Sequence, residues 1–374
     1  MKTLAKFQAM RELQILLLKS QFTFFSEGKF WTINNIPLKK KINLIKAGLD
    51  NFFPRNFCLS QPSSIMIEPT NLCNLHCTGC WTNDESYEGR SRYLSVEGFK
   101  KVMDDLGENL FNIWLWGWGE PFLNKNIYEM IRLARGKNII VISSTNNNLK
   151  FDDYEIDELI KSGLSMLIVA VDGVDQETYS KYRIGGKLDL VLKNTKKLIE
   201  RKKLLGLKTP IINMRMVVMR HNQDQVADLR ALGESIGVDI VSLKTMCDYR
   251  KNEVNPLFPT IKKYQRYAMD EMAEKIIDIS QRYYCNRPWR RPHIFADGSV
   301  TPCEFDFGRE FLLGNIYNHN NLKSIWNNLT ARDFRRKFLT NIEIISFCRN
   351  CPYKNQIVWD PTVEWHQLAN AAVM

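Results

Sequence analysis

The sequence predicts a mixed α/β protein: a partial (β/α)6 barrel followed by a small C-terminal domain of short strands and helix. Two observations carry this expectation. Six short apolar runs alternate with segments of helical periodicity across residues 61–246, and that alternation builds parallel sheets. From Cys285 the texture changes to short strands and turns. The chain has 374 residues, 44% apolar and 25% charged, an ordinary globular composition with length enough for a sizeable core.

Residues 1–60 form a basic N-terminal extension. They hold ten Lys or Arg against three Asp or Glu, so most of the formal net charge of +11 is local to them. Phe22, Phe24, Phe25, Phe30 and Trp31 interleave with Lys39, Lys40, Lys41 and Lys46, and Ile42 to Phe53 reads as a short amphipathic helix. Such a segment packs on the core as an arm or lid. The alternative is peripheral contact with an anionic membrane surface or a phosphorylated substrate. Neither a membrane-length apolar run nor a signal-peptide pattern is present, so the expected location is cytoplasmic.

In the core, strands are expected at Ser64–Ile67, Phe111–Trp116, Ile139–Ser143, Met166–Val171, Ile211–Val218 and Asp239–Leu243. Helices are expected near Val96–Leu106, Ile127–Arg135, Tyr154–Ser162, Leu188–Leu204 and Gln223–Ile236. Barrels of this kind place their chemistry at the carboxyl ends of the strands. Residues 247–284 read as a linker with Pro256 and Pro259, then a helix around Tyr267–Tyr283. Residues 285–355 form the small domain, with Asp297-Gly298 as a hairpin turn and a helix at Leu322–Thr330. Residues 356–374 are a tail.

Nine cysteines in a reducing compartment point to metal binding or catalysis rather than disulfides. Cys73, Cys77 and Cys80 form C-x-x-x-C-x-x-C just after the first strand. Three thiolates can hold three irons of a cubane and leave the fourth iron open. Zinc with His76 as a fourth ligand is the competing reading. Gly79 suits a loop wrapped tightly around a cube. Downstream, Cys285, Cys303 and the pair Cys348 and Cys351 make a complete four-thiolate set for zinc or a cubane.

At the first cluster the sequence resembles the radical S-adenosylmethionine (SAM) superfamily, over residues 64 to 245. The resemblance implies a 4Fe–4S cluster on Cys73, Cys77 and Cys80 whose open iron chelates SAM. Reduction then gives a 5′-deoxyadenosyl radical that abstracts hydrogen from substrate. Gly117-Trp118-Gly119-Glu120-Pro121 looks like the family's glycine-rich element that meets the methionine amine. Ser144, Thr145 and Asn146 resemble the segment that bonds the SAM ribose, though a polar turn ending a strand reads the same way. Asp172 ends the fourth strand, where Ala170 departs from the Ser often found in relatives. Arg183 matches an arginine that clamps the SAM carboxylate, a role suited to its planar fork; an exposed helix-face arginine is the alternative.

The second cluster resembles the SPASM extension of many radical SAM proteins. The full extension has seven cysteines and two clusters, whereas this chain keeps four, which implies one fully ligated auxiliary 4Fe–4S cluster able to accept or relay an electron. Cys58 and Cys247 remain, each expected as a buried thiol. Cys247, just after the sixth strand, is also a candidate hydrogen-atom donor, and Lys244 a substrate contact by position. Trp114, Trp116 and Trp118 share one strand face. Trp114 is expected to pack outward beneath helices, with Trp118 as a pocket residue.

The function these features imply is a radical SAM oxidoreductase or related C–H-modifying enzyme acting on a small polar or saccharide substrate. It would draw electrons from an external reductant of flavodoxin or ferredoxin type. A SPASM-type peptide maturase is the alternative. A zinc-dependent nucleic-acid binder is a third, which the α/β core and the G-x-G-E-P context disfavour; no nucleic-acid partner is expected.

Overall fold

The computed structural model describes residues 14–83, 92–247, 256–266, 268–269, 275–276, 285–318, 322–349, 351 and 362–368. Its centre is a sheet of ten strands. Six parallel strands form the core: β3 (Ser64–Ile67), β4 (Asn112–Trp114), β5 (Ile140–Thr145), β6 (Met166–Ala170), β7 (Ile211–Val218) and β8 (Ile240–Thr245). They lie side by side in chain order, as successive right-handed crossovers produce. Among the described residues the sheet stays open, so a partial barrel is what forms.

Period-two alternation sorts each strand. Ile65, Ile113, Val141, Leu167, Met214 and Val241 join the main core under the helices. Their neighbours Ile142, Met166, Ile168, Ile211 and Ile240 form a second cluster inside the barrel. The helices follow their sequence signals closely. Val96–Leu106 starts on Ser95, whose side chain accepts from Gly98 N, and buries Phe99, Val102 and Met103. Asp153–Lys161 starts on a reciprocal Asp152/Glu155 capping box.

Several expectations need correction. Trp114 faces inward: its ring joins the interior cluster with Trp116, and its Nε1 donates to Glu27. Strand parity decides this, because Ile113 and Leu115 take the helix side. The helix around Tyr267–Tyr283 is not what the described residues there adopt. Instead β9 (Ala268–Met269) and β10 (Lys275–Ile276) pair antiparallel; a short apolar pattern suits either state, and the ladder supplies the backbone partners. The rest of that segment lies outside the described residues. The helix expected at Leu322–Thr330 is two helices, Leu322–Ile325 and Leu329–Thr340, because Asn328 caps the second by accepting from Ala331 N.

Neither end of the chain is an appendage. In the C-terminal region β11 (His293–Ile294) pairs parallel with β3, and β12 (Ser299–Thr301) and β13 (Gly314–Asn315) continue outward from it. Gly298 turns β11 into β12 with φ +82°. At the opposite edge β14 (Thr362–Gln367), from the expected tail, pairs antiparallel with β8. The N-terminal extension contains a hairpin that sequence reasoning missed, β1 (Phe22–Ser26) and β2 (Lys29–Ile33). Trp31 and Phe24 pack among the interior residues at the amino-terminal ends of the core strands. The hairpin therefore plugs the bottom of the barrel. The amphipathic helix runs from Leu38 to Phe52, four residues earlier at its start than its apolar pattern suggests.

Candidate active site

The carboxyl ends of the core strands surround a cavity of about 280 Å³. Into it the fold brings Cys73, Cys77 and Cys80 after β3, Gly117, Gly119 and Glu120 after β4, and Ser144 and Thr145 at the end of β5 with Asn146 just after it. Asp172 after β6, Arg183 and Lys244 on β8 complete the expected set. Cys247 is not part of this lining; its sulfur accepts from Arg266 Nη1 at 3.5 Å. Cys58 is buried elsewhere, its thiol pushed up to about 12 by burial. Trp118 lines the cavity as expected, and Trp116 joins it.

The cysteine loop is held by polar contacts to its sulfurs. Leu75 N approaches Cys73 Sγ at 3.5 Å and Asn146 Nδ2 at 3.6 Å, while Arg183 Nη1 lies 3.6 Å from Cys77 Sγ. Thr82 Oγ1 is 3.2 Å from Cys80 Sγ. Burial pushes the Cys73 thiol up to about 11 and raises Cys77 too. As bare thiols these groups stay protonated, and a bound cation is what draws off their protons. Among the described residues no three Cys, His, Asp or Glu side chains close on a point suited to one metal ion. A cubane spreads its thiolates over separate irons, so donor type and spacing fit it better than zinc.

The glycines are required by close approach. A Cβ on Gly119 would lie 2.2 Å from Thr70 O and 2.5 Å from Leu72 O, in the backbone that leads into Cys73. On Gly117 it would meet the Glu68 side chain at 2.5 Å. Glu120 is 2% exposed and its oxygens are engaged within the protein: Thr145 Oγ1 donates at 2.9 Å, Asn146 N at 2.7 Å and Phe122 N at 3.2 Å. Burial raises its carboxyl to about 7 against those bonds. Glu120 thus ties the β4 loop to the end of β5. Asp172 is fully buried, accepting from Arg183 Nε at 2.6 Å and Val217 N at 2.7 Å. Arg183 is accordingly an inward, paired cation and not an exposed helix-face one.

Sequence reasoning missed Arg215, Glu304 and Phe305, which also line the cavity. Arg215 had a readable signal: with Asn213 it is a polar residue on the interior face of an apolar strand. Glu304 and Phe305 had only their place after Cys303. Glu304 pairs with Arg287 at 2.6 Å and with Arg291; burial would raise its carboxyl, but the two guanidiniums hold it at about 2. Cys303, Cys348 and Cys351 are buried, and burial together with the nearby Cys351, Cys303 and Cys285 raises the Cys348 thiol. The segment that carries Cys303 therefore also walls the main cavity.

A family model described as the Radical SAM superfamily matches residues 67–232, and one described as an iron-sulfur cluster-binding domain, SPASM, matches residues 285–352. A probable GTP 3′,8-cyclase of Methanococcus maripaludis is 30% identical over 259 residues, spanning 64% of this chain and 84% of the relative. The chain belongs to the radical SAM superfamily. Membership brings a 4Fe–4S cluster with SAM, and the SPASM domain brings auxiliary iron–sulfur binding. A tungsten-containing aldehyde ferredoxin oxidoreductase cofactor-modifying protein of Pyrococcus furiosus is 23% identical over 318 residues, or 78% of this chain and 87% of the relative. In fold, this radical SAM chain resembles Streptococcus suis SuiB solved with its precursor peptide SuiA. That likeness has a TM-score of 0.60 at 16% identity and covers 100% of this chain and 89% of SuiB.

Proposed function

We propose that the protein is a radical SAM enzyme that reductively cleaves SAM and uses the resulting radical to take a hydrogen atom from a C–H bond, in an oxidation or related modification. The observation that supports this is one cavity shared by three thiols, the close-approach glycines and the Asp172–Arg183 pair. Cys73, Cys77 and Cys80 would hold the cluster, which when bound supplies the electron for SAM cleavage. Arg183, held by Asp172, would offer its Nη groups to the SAM carboxylate. Ser144 lines the cavity without a hydrogen bond to any described residue, leaving its hydroxyl for a ribose. Met66, Trp116, Ile168 and Val217 form an apolar wall that keeps water from a reactive carbon centre.

Cys285, Cys303, Cys348 and Cys351 would hold one closed auxiliary cluster beside the Glu304–Phe305 wall. That position suits an acceptor for the second electron of an oxidation, and the first electron would come from a flavodoxin- or ferredoxin-type protein. A peptide substrate is the second reading, favoured by the fold likeness to peptide-bound SuiB across the whole chain. Anaerobically reconstituted, reduced protein should convert SAM to 5′-deoxyadenosine and contain about eight irons per chain. Absence of 5′-deoxyadenosine would overturn the reading. Half that iron with one zinc would overturn the auxiliary cluster.

A further inference from the structure

Among the described residues the charged side chains of the cavity are paired, with one exception. Asp172 holds Arg183, Glu304 holds Arg287 and Arg291, and Glu27 holds Arg215. Glu120 is engaged by three donors. Lys244 sits on the interior row of β8 with Ile240 and Ser242, in register with Val217 and one interior layer above the bonded Arg215 and Ser242. It lines the cavity and makes no ion pair or hydrogen bond with a described residue. Glu27 reaches it only through space, since its carboxylate is bonded to Arg215 and Trp114. Together Glu27, Arg215 and Lys244 leave one positive charge uncompensated in a desolvated place, an arrangement that costs free energy until an anion arrives.

We propose that Lys244, with Arg215 below it, anchors an oxyanion of the substrate, a carboxylate or a phosphate. This deepens the reading of the cavity as the site of SAM-dependent chemistry and rests on it. Arg215 is fixed by Ser242 and Glu27 and serves as a positioning residue, while Lys244, on a flexible stem, meets the ligand. The test is titration of the reconstituted, SAM-loaded protein with inorganic phosphate and, separately, with succinate at low ionic strength. One of the two should bind saturably at one site per chain, and which one does so identifies the substrate's anion. Lys244→Met should weaken it by about tenfold or more and Lys244→Arg by no more than about threefold, with SAM affinity unchanged in both. Equal anion binding by Lys244→Met, or SAM binding with no binding of either anion, would overturn the proposal. Failure of the wild type to bind SAM would instead overturn the reading of the cavity.

The helix Leu38–Phe52 buries polar side chains and turns much of its apolar surface outward, although Leu44 and Ile45 pack partly against Leu16, Ile33, Ile36 and Phe111. Its buried positions are Lys40, Asn43 and Asp50. Asp50 accepts from Leu59 N, Ser60 N and Ser60 Oγ, and Asn43 bonds the backbone of Gln61 in both directions. Its outer face carries Leu38 (71% exposed), Ile42 (44%), Leu49 (41%) and Phe52 (57%), continued by Phe53 and Phe57. Exposed Lys39 and Lys46 flank this stripe. No described helix is long and apolar enough to cross a membrane, so the stripe's geometry is that of a helix lying in an interface.

We infer that this face docks on an anionic lipid surface, because residues 1–60 carry ten basic against three acidic side chains and the helix's one acid, Asp50, is buried. Full-length reconstituted protein should co-sediment with phosphatidylglycerol-containing vesicles and much less with pure phosphatidylcholine. The double variant Leu49→Glu, Phe52→Glu should lose about tenfold or more of that binding while SAM cleavage in solution is unchanged. Undiminished binding by the variant would overturn the inference. So would a wild-type dimer that the variant converts to monomer, which would assign the face to a second copy.

Discussion

Gly119 shows how one missing side chain shapes the site. The backbone carbonyls of Thr70 and Leu72 occupy the space a methyl group would need, and Glu120 N donates to Leu72 O at 2.7 Å. Gly119→Ala must push the cysteine loop away, an overpacking cost of about 1–3 kcal/mol. Iron bound after anaerobic reconstitution should fall several-fold, as measured by iron and sulfide analysis. Gly48→Ala, a helical position with nothing within 4 Å, should keep full iron and gain up to about 1 kcal/mol of stability. Cysteine spacing and the resemblance to the radical SAM family made these positions legible: the three cysteines, G-x-G-E-P and Arg183 all reach the cavity. Glu120 was legible as a site residue but not in its role. Its hydrogen bonds to Thr145 and Asn146 come from the end of β5, 25 and 26 residues away.

At the scale of elements, the hairpin β1–β2 was the largest omission. Its two-residue turn, Glu27-Gly28, has positive φ at both positions, +55° and +83°, the signature of a type I′ turn. Asn or Asp favours the first of these positions, so no turn signal announced Glu there. The carboxylate explains the choice: it enters the barrel to meet Arg215 and Trp114. Arg215 and Glu27 are both buried, so Glu27→Ala strands a charge and should cost about 3–5 kcal/mol in urea unfolding. Burial would raise the Glu27 carboxyl, but Arg215 and Lys244 outweigh it and hold it below its usual range. Its stabilisation is therefore present above the ordinary glutamate pKa and is lost as pH falls through the lowered one. Glu108→Ala breaks the Lys39–Glu108 pair, 64% and 59% exposed, and should leave the urea midpoint almost unchanged. Elements with a strong period of their own, such as Val96–Leu106, Leu188–Leu204 and β7, lie where their patterns place them. The linker and the region around Leu322 had weak patterns, and there hydrogen bonding to neighbours chose the state.

The whole molecule joins its parts through one sheet. The auxiliary domain extends the core through β11 on β3, and the C-terminal β14 covers the β8 edge, which otherwise would present unpaired backbone groups. This continuity places Cys303 next to Glu304 and Phe305 on the cavity wall, and Phe307 between Trp81 and Trp118 at ring-centroid distances of 4.5 and 4.8 Å. Aromatic rings thus line the space between the cavity and the segment that carries Cys303. The cysteine spacings, the strand and helix periods and the local excess of basic charge belong to the linear chain, because covalent neighbours and side-chain chemistry alone produce them. The tertiary structure decided which face each strand turned inward, that the basic extension closes the barrel from below, and that Lys244 has no ion-pair partner among the described residues. Those outcomes depend on contacts between residues far apart in the chain, such as Glu27 with Arg215. A local pattern carries no record of such pairings.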